Sequence, residues 1–127
     1  MSSVVLTELR AEDLPSVAEF ISDLPNDQNR PDDDGAVLRR KREQTLRWRL
    51  LDNPLSERGI PIGHCLREPD GALRGVLLSF PQLFRSGDHE LVGLAGGGFF
   101  TRELTGLQNY QLFRRYLSTA GAEFCFA

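Results

Sequence analysis

The stretch AGGGFFTRELTGLQNYQLF, Ala95 to Phe113, decides the fold. It runs from three glycines through Phe99 and Phe100 and a polar turn into an amphipathic pattern, so it reads as a strand, a turn and a helix. Two readings of it stay open. Glycines inside a strand mark a bulge or a close backbone approach, with Phe99 and Phe100 packing on opposite faces of a sheet. Alternatively, the turn presents backbone to an anion. A helix N-terminus carries unpaired N–H donors and the positive end of the dipole, and a glycine there admits a close approach.

The segments on either side supply the rest of the domain. VVLTEL (Val4–Leu9) is a short strand. AEDLPSVAEFISDL is a helix that places Leu14, Val17, Ala18, Ile21 and Leu24 on one face, with Pro15 confined to its first turn. Pro25–Gly35 is a loop; its Asp32, Asp33 and Asp34 lack the Gly and distal Glu of a calcium loop and read as solvated acids. Ala36–Leu51 is a helix stopped by Asp52, Asn53 and Pro54. Its Arg39, Arg40, Lys41, Arg42, Arg47 and Arg49 form either a solvated face with Trp48 packed inward or a phosphate-contacting patch. From Gly59 the texture is β. IPIGHCLRE, the turn PDG and ALRGVLLSFP make a hairpin, SGD (Ser86–Asp88) turns again, and HELVGLAGGGFF is a third strand. A helix over roughly Leu107–Ala120 and a last strand, AEFCFA (Ala122–Ala127), follow. That last run reads as a buried strand with neither turn nor cap after it. The expectation is that another chain covers it, as in a homodimer through this strand, or that the sequence is cut short.

The order is β-α-α-β-β-β-α-β: one α/β (α+β) domain over residues 1–127, a mixed sheet containing an antiparallel meander. A composition of 40 % hydrophobic and 26 % charged residues argues against disorder, and a net charge of -3 argues against a nucleic-acid or membrane-surface protein. No apolar run approaches the roughly 18 residues of a spanning helix, and the start lacks the regions of a signal peptide. Cys65 and Cys125 sit in apolar runs without metal-ligand spacing and read as buried, reduced thiols, so a cytoplasmic location is the expectation.

This pattern resembles the GNAT superfamily of acetyltransferases. The residues that carry the likeness are the opening VVLTELRAEDLPSVAEFI, the hairpin PDGALRGVLLSF, the strand-turn-helix Gly96–Leu117, and LRWRLLDNP, which is similar to a "W.y..NP" segment of some GNAT-like proteins. The resemblance implies an acetyl-CoA site in the gap where the family's fourth and fifth strands splay, with the pyrophosphate on the start of the following helix. It implies cofactor-binding positions at Phe99, Phe100 and Thr101 on the strand, and at Thr105, Gly106, Leu107, Gln108 and Asn109 on the turn and first helical turn. The family's loop is approximately R/Q-x-x-G-x-G/A. Gly106 matches its glycine, whereas Thr105 stands in place of the arginine and Gln108 in place of the next glycine. The family's closing helix and two strands are absent from this order.

The implied chemistry is acyl transfer from acetyl-CoA to a small-molecule or peptidyl amine. It needs a route for the amine's proton, a donor for the developing oxyanion and an acid for the leaving thiolate. His89, Glu90 and Glu103 are candidate bases without a specific spacing, and no cluster suggests a metal or a nucleophile triad. The departures at Thr105 and Gln108 keep a second reading alongside: a non-catalytic GNAT-like interaction or dimerisation module, with Arg39–Arg49 as its contact face.

Overall fold

The computed structural model describes residues 4–24, 35–52, 55 and 58–126. The acidic loop read at Asp32–Asp34 and the helix stop at Asn53 and Pro54 lie outside the described residues, as does Ala127. The elements follow the expected order: β1 (Val5–Leu9), a 3-10 turn (Ala11–Asp13), α1 (Leu14–Asp23), α2 (Gly35–Leu50), β2 (Gly63–Arg67), β3 (Leu73–Ser86), β4 (His89–Thr101), α3 (Gly106–Leu117) and β5 (Phe124–Phe126). They make a mixed α/β structure around a five-stranded sheet of order β1-β2-β3-β4-β5. The first four strands form an antiparallel meander and β5 runs parallel to β4.

Local chemistry explains most of these elements. In the β2–β3 turn, Gly71 takes φ +95 and its N–H donates to Glu68 O at 2.8 Å, while Asp70 Oδ1 accepts from Ala72 N. The β3–β4 turn places Gly87 at φ +62, the left-handed conformation that a two-residue hairpin loop requires. The helix α1 buries Leu14, Val17, Ala18 and Ile21 against the sheet, as its periodicity predicts, and adds Phe20.

The sheet has a core on each face. On one side Leu9, Cys65, Val76 and Leu78 pack beneath α1 and α2; on the other Leu66, Leu77, Val92 and Leu94 pack beneath Leu112 and Tyr116 of α3. The three-glycine segment falls between these cores and breaks the register. Leu78 lies opposite Gly98 and Ser79 opposite Gly96, so Gly97 is an extra residue with no partner across the ladder. This is a β-bulge. It shifts the alternation of β4: Leu94 faces the α3 core whereas Phe100, six residues on, faces the α1/α2 core. In an unbroken strand, residues an even number apart share a face.

Two expectations need correction. Trp48 is not packed inward but 70 % exposed. The helix α2 turns Leu46 and Leu50 to the core, and a residue midway between such an i, i+4 pair lies about 200° round the helix, facing solvent. The terminal strand is not wholly buried either: Phe124 is 38 % exposed, and it packs with Phe84 and Phe126 in an aromatic cluster that is itself half open. Of the two thiols, Cys65 is fully buried and Cys125 partly so, and both are free. No helix among the described residues is long and apolar enough to cross a membrane.

The contrast on α2 is measurable. Trp48→Ala is expected to change unfolding free energy by no more than about 0.5 kcal/mol, the usual range for surface sites. Leu50→Ala, at 2 % exposure, is expected to lose about 2–5 kcal/mol. Urea denaturation of both variants checks this, and a Trp48 effect as large as that of Leu50 would contradict the assignment of faces.

Candidate functional site

The site is built where β4 hands over to α3. At the bulge, Gly98 adopts φ +143 and a Cβ on it would meet the Phe100 ring at 2.6 Å, so only glycine fits there. With no side chains from Gly96 to Gly98, space opens on both faces of the sheet. On the α3 side lies a cavity of about 260 Å³ lined by Leu77, Gly96, Gly98, Phe99, Phe113 and Tyr116, almost wholly apolar. On the other side a cavity of about 310 Å³ runs under α2, bounded by Arg42, Thr45, Arg49, Leu78 and the bulge. Gly98 lines both.

Tyr116 holds the inner end of the α3-side cavity. Its hydroxyl lies 2.8 Å from Leu94 O on β4 and 2.7 Å from Phe126 O on β5, so its one proton is shared between the carbonyls of the two strands. Burial, and next the neighbouring Cys125, raise the pKa of the phenol, which keeps it protonated and a donor. Burial also raises the Cys125 thiol. The pairing of β4 with β5 covers only Gly93–Ala95, and β4 continues past it to Thr101.

The turn between β4 and α3 is held from β3. Arg74 donates from Nε to Arg102 O at 2.9 Å and from Nη2 to Glu103 O at 2.8 Å, and its Nη1 pairs with Glu68 at 2.6 Å. Glu103 takes φ +55, unusual for a residue with a Cβ. The helix then starts with a reciprocal pair: Thr105 Oγ1 accepts from Gln108 N at 3.1 Å, and Gln108 Oε1 accepts from Thr105 N at 2.9 Å. This is a capping box, and it gives both departures from the family's loop a single local role. The first N–H groups of a helix have no intrahelical partner. Thr105 takes that of Gln108, which leaves those of Gly106 and Leu107 directed past the helix end. Nothing lies within 4 Å of a Cβ placed on Gly106, so a side chain at that position would enter open space.

The structure brings the expected positions together unevenly. Thr105, Gly106, Leu107 and Gln108 form the helix start, and Asn109 Nδ2 donates to Thr105 O at 3.1 Å just behind it. Phe99 faces the α3-side cavity, 42 % exposed, while Phe100 turns to the opposite core and Thr101 pairs with Gly75 at the end of β4. Of the candidate bases, His89 and Glu90 lie at the far end of β4, and Glu90 pairs with Arg85 at 3.3 Å. At about 3.3 Å per residue that is roughly 20–25 Å from the bulge, too far to take a proton there. Glu103 lies at the helix start, highly exposed, 3.5 Å from Arg74. Among the described residues no group of three or more His, Cys, Asp or Glu is placed to hold a metal ion.

Sequence reasoning missed Arg74, Tyr116 and His64. The capping box was visible as T-x-x-Q at Thr105–Gln108. Arg74, Tyr116 and His64 act across the sheet and left no local signal. His64 on β2 is 1 % exposed beneath α3, and neither ring nitrogen has a hydrogen-bond partner among the described residues.

Two solved structures share this fold. A Trypanosoma brucei acetyltransferase matches with a TM-score of 0.55 at 16 % identity, covering 91 % of this chain and 73 % of that one. A possible acetyltransferase from Clostridium difficile 630 matches with a TM-score of 0.53 at 17 % identity, covering 91 % of this chain and 71 % of that one. No family model and no curated protein matches the sequence. The chain therefore shares its backbone fold with these two structures, a likeness that is not visible in sequence.

Two variants test the local geometry. Thr105→Ala is expected to lose about 1 kcal/mol of stability with the cap, read by urea denaturation. For His64, burial first and then Arg115 hold the pKa below its ordinary 6.5, with Glu8 opposing and Arg10 adding to the shift. The unfolded chain then binds more protons between the lowered value and 6.5. Stability is therefore full above about pH 6.5 and falls as the pH drops through the folded value. Replacing His64 with Leu is expected to flatten the loss between about pH 7.5 and about pH 5.5; an unchanged slope would contradict it.

Proposed function

We propose that the chain is an acetyl-CoA-dependent N-acetyltransferase domain of cytoplasmic location, acting on a small-molecule or peptidyl amine. The observation that carries this reading is the bulge: one glycine, Gly98, borders both an apolar cavity beside α3 and a basic cavity beside α2. Donor and acceptor would meet there from opposite faces of the sheet. The residues fit the donor in two respects. The apolar walls at Leu77, Phe99 and Phe113 suit a pantetheine arm, and the N–H groups of Gly106 and Leu107 at the helix start suit a pyrophosphate.

Acetyl-CoA, when bound, supplies an activated acyl thioester. The chain's own part is to bind and to orient. The helix start would hold the anionic end, the α3-side cavity would exclude water from the arm, and the bulge would set the acetyl group between the two cavities. In the net step the amine nitrogen bonds the acetyl carbon, the carbon–sulfur bond breaks, and the sulfur leaves with the electron pair. The amine's proton passes to water at the mouth of the α2-side cavity.

The capping box favours a second reading. Thr105 Oγ1 competes with a phosphate for Gln108 N–H, as expected of a non-catalytic GNAT-like module that works by interaction or homodimerisation. Its contact would be the Arg39–Arg49 face of α2 or, in a homodimer, β5 at the edge of the strand order, with Phe84 and Phe124 beside it.

Calorimetric titration with acetyl-CoA separates the two. Saturable binding, abolished by Gly106→Trp in a chain whose stability changes by no more than about 0.5 kcal/mol, is the expected result. A well-folded wild type that binds no acetyl-CoA would overturn the first reading. Sedimentation showing a dimer that Phe124→Asp dissociates would then support the second.

A further inference from the structure

We infer that His64 is an acid-sensitive latch for α3: the helix docks over a neutral imidazole, and acid releases it from the sheet ahead of the rest of the chain. The latch itself stands on packing and charge. Its consequence for a ligand rests on the acetyl-CoA reading.

The helix is lightly held. Of its twelve residues only Leu112 and Tyr116 are buried, whereas α1 buries five of ten. Leu107, Tyr110, Phe113 and Leu117 are all exposed. On the other face of the sheet, α1 and α2 share one core. An element with few buried apolar contacts opens at a lower free energy than the domain as a whole.

His64 lies beneath this helix. On β2 it shares a face with Leu66, two residues on, which packs with Leu112 and Tyr116. It is 1 % exposed, and among the described residues neither ring nitrogen has a hydrogen-bond partner. A proton added there makes a buried charge with no acceptor among those residues.

The groups around the ring do not compensate that charge. From β3 it faces Leu77, directly opposite. From β1 come Glu8, directly opposite, and Arg10, and from α3 comes Arg115. Glu8 is the one acid of this set, and it already pairs with Arg10 and, at 3.8 Å, with Arg115. Two guanidiniums against one carboxylate leave a positive surplus. Tyr116 and Cys125, the other ionisable groups of this core, have pKa values raised by burial and stay uncharged in acid. Burial first and then Arg115 hold the imidazole below its ordinary 6.5 while α3 is docked. Once α3 lifts, the ring meets water and regains that value.

The opened form therefore binds the extra proton, and opening gains on docking as the pH falls below about 6.5. Between about pH 7.5 and about pH 5.5 the gain is limited to about tenfold, the factor by which an ordinary imidazole changes its protonation there. Docked α3 supplies Phe113 and Tyr116 to the apolar cavity and Thr105–Gln108 to the helix start. The apparent affinity for acetyl-CoA thus scales with the docked fraction.

The test follows amide hydrogen exchange of the ¹⁵N-labelled full chain by NMR at both pH values, in urea below the unfolding transition. Leu112, Phe113 and Tyr116 are expected to exchange through an opening with a smaller urea dependence than that of Val17, Ala18 and Ile21. After correction for intrinsic rates, its population is expected to rise about tenfold from about pH 7.5 to about pH 5.5. His64→Leu removes that rise. Arg115→Gln, at the surface, reduces it, which loss of a merely structural contact would not do; His89→Gln, exposed at the start of β4, leaves it unchanged. A single opening shared by α1 and α3 at both pH values would overturn the latch, as would an equal rise in His64→Leu or a larger one in Arg115→Gln. Acetyl-CoA at about 100 times its Kd is expected to suppress the α3 opening about a hundredfold. No binding sinks the acetyl-CoA reading and leaves the latch, whereas binding with α3 exchange unchanged overturns the link between them.

Discussion

The structure turns on one unpaired residue. Gly97 lies in β4 with no partner on β3, and the bulge it makes shifts the alternation of every side chain beyond it. Before it, Leu94 faces α3; after it, Phe100 faces α1 and α2, and Phe99 is left at the α3-side cavity. The glycines on either side keep both faces clear, so a single interruption of the ladder opens cavities above and below the sheet. A regular strand of the same length would have filled that space with side chains.

What surrounds the bulge keeps it in place without closing it. Tyr116 reaches from α3 to carbonyls of β4 and β5 and fixes the helix over the short stretch where those strands pair. Arg74 holds the turn from the other side, through the carbonyls of Arg102 and Glu103. A partly buried guanidinium with this many acceptors is a strong local constraint, and it helps to fix where α3 begins. The capping box then spends one backbone donor on the protein itself and leaves two open. The helix start thus presents fewer unpaired backbone donors than an uncapped one would, and a more firmly fixed helix.

Electrostatics separates the two cavities further. The α3 side is almost entirely apolar, and the α2 side carries Arg42 and Arg49. The chain as a whole is slightly acidic, with a net charge of -3, so the local basic character comes from arrangement, not from composition. On α2, Arg39 pairs with Asp23 and Arg47 with Glu43, and the face turned to the bulge lines a cavity.

The sequence by itself determined what depends on neighbours along the chain. The order of elements, the buried face of α1, the turns at Gly71 and Gly87 and the N-terminus of α3 all follow from periodicity and turn chemistry within a few residues. The backbone comparison found the same fold in two solved structures. The tertiary structure decided the rest, because it depends on contacts between distant segments. Which face of α2 is covered depends on what α1 and the sheet offer it, so Trp48 faces solvent despite its size. Whether three glycines make a bulge depends on the register of β3, and no window of β4 contains that register. Arg74, Tyr116 and His64 look ordinary in sequence; their roles arise only when strands far apart in the chain lie side by side, and the free energy of that pairing belongs to the whole sheet.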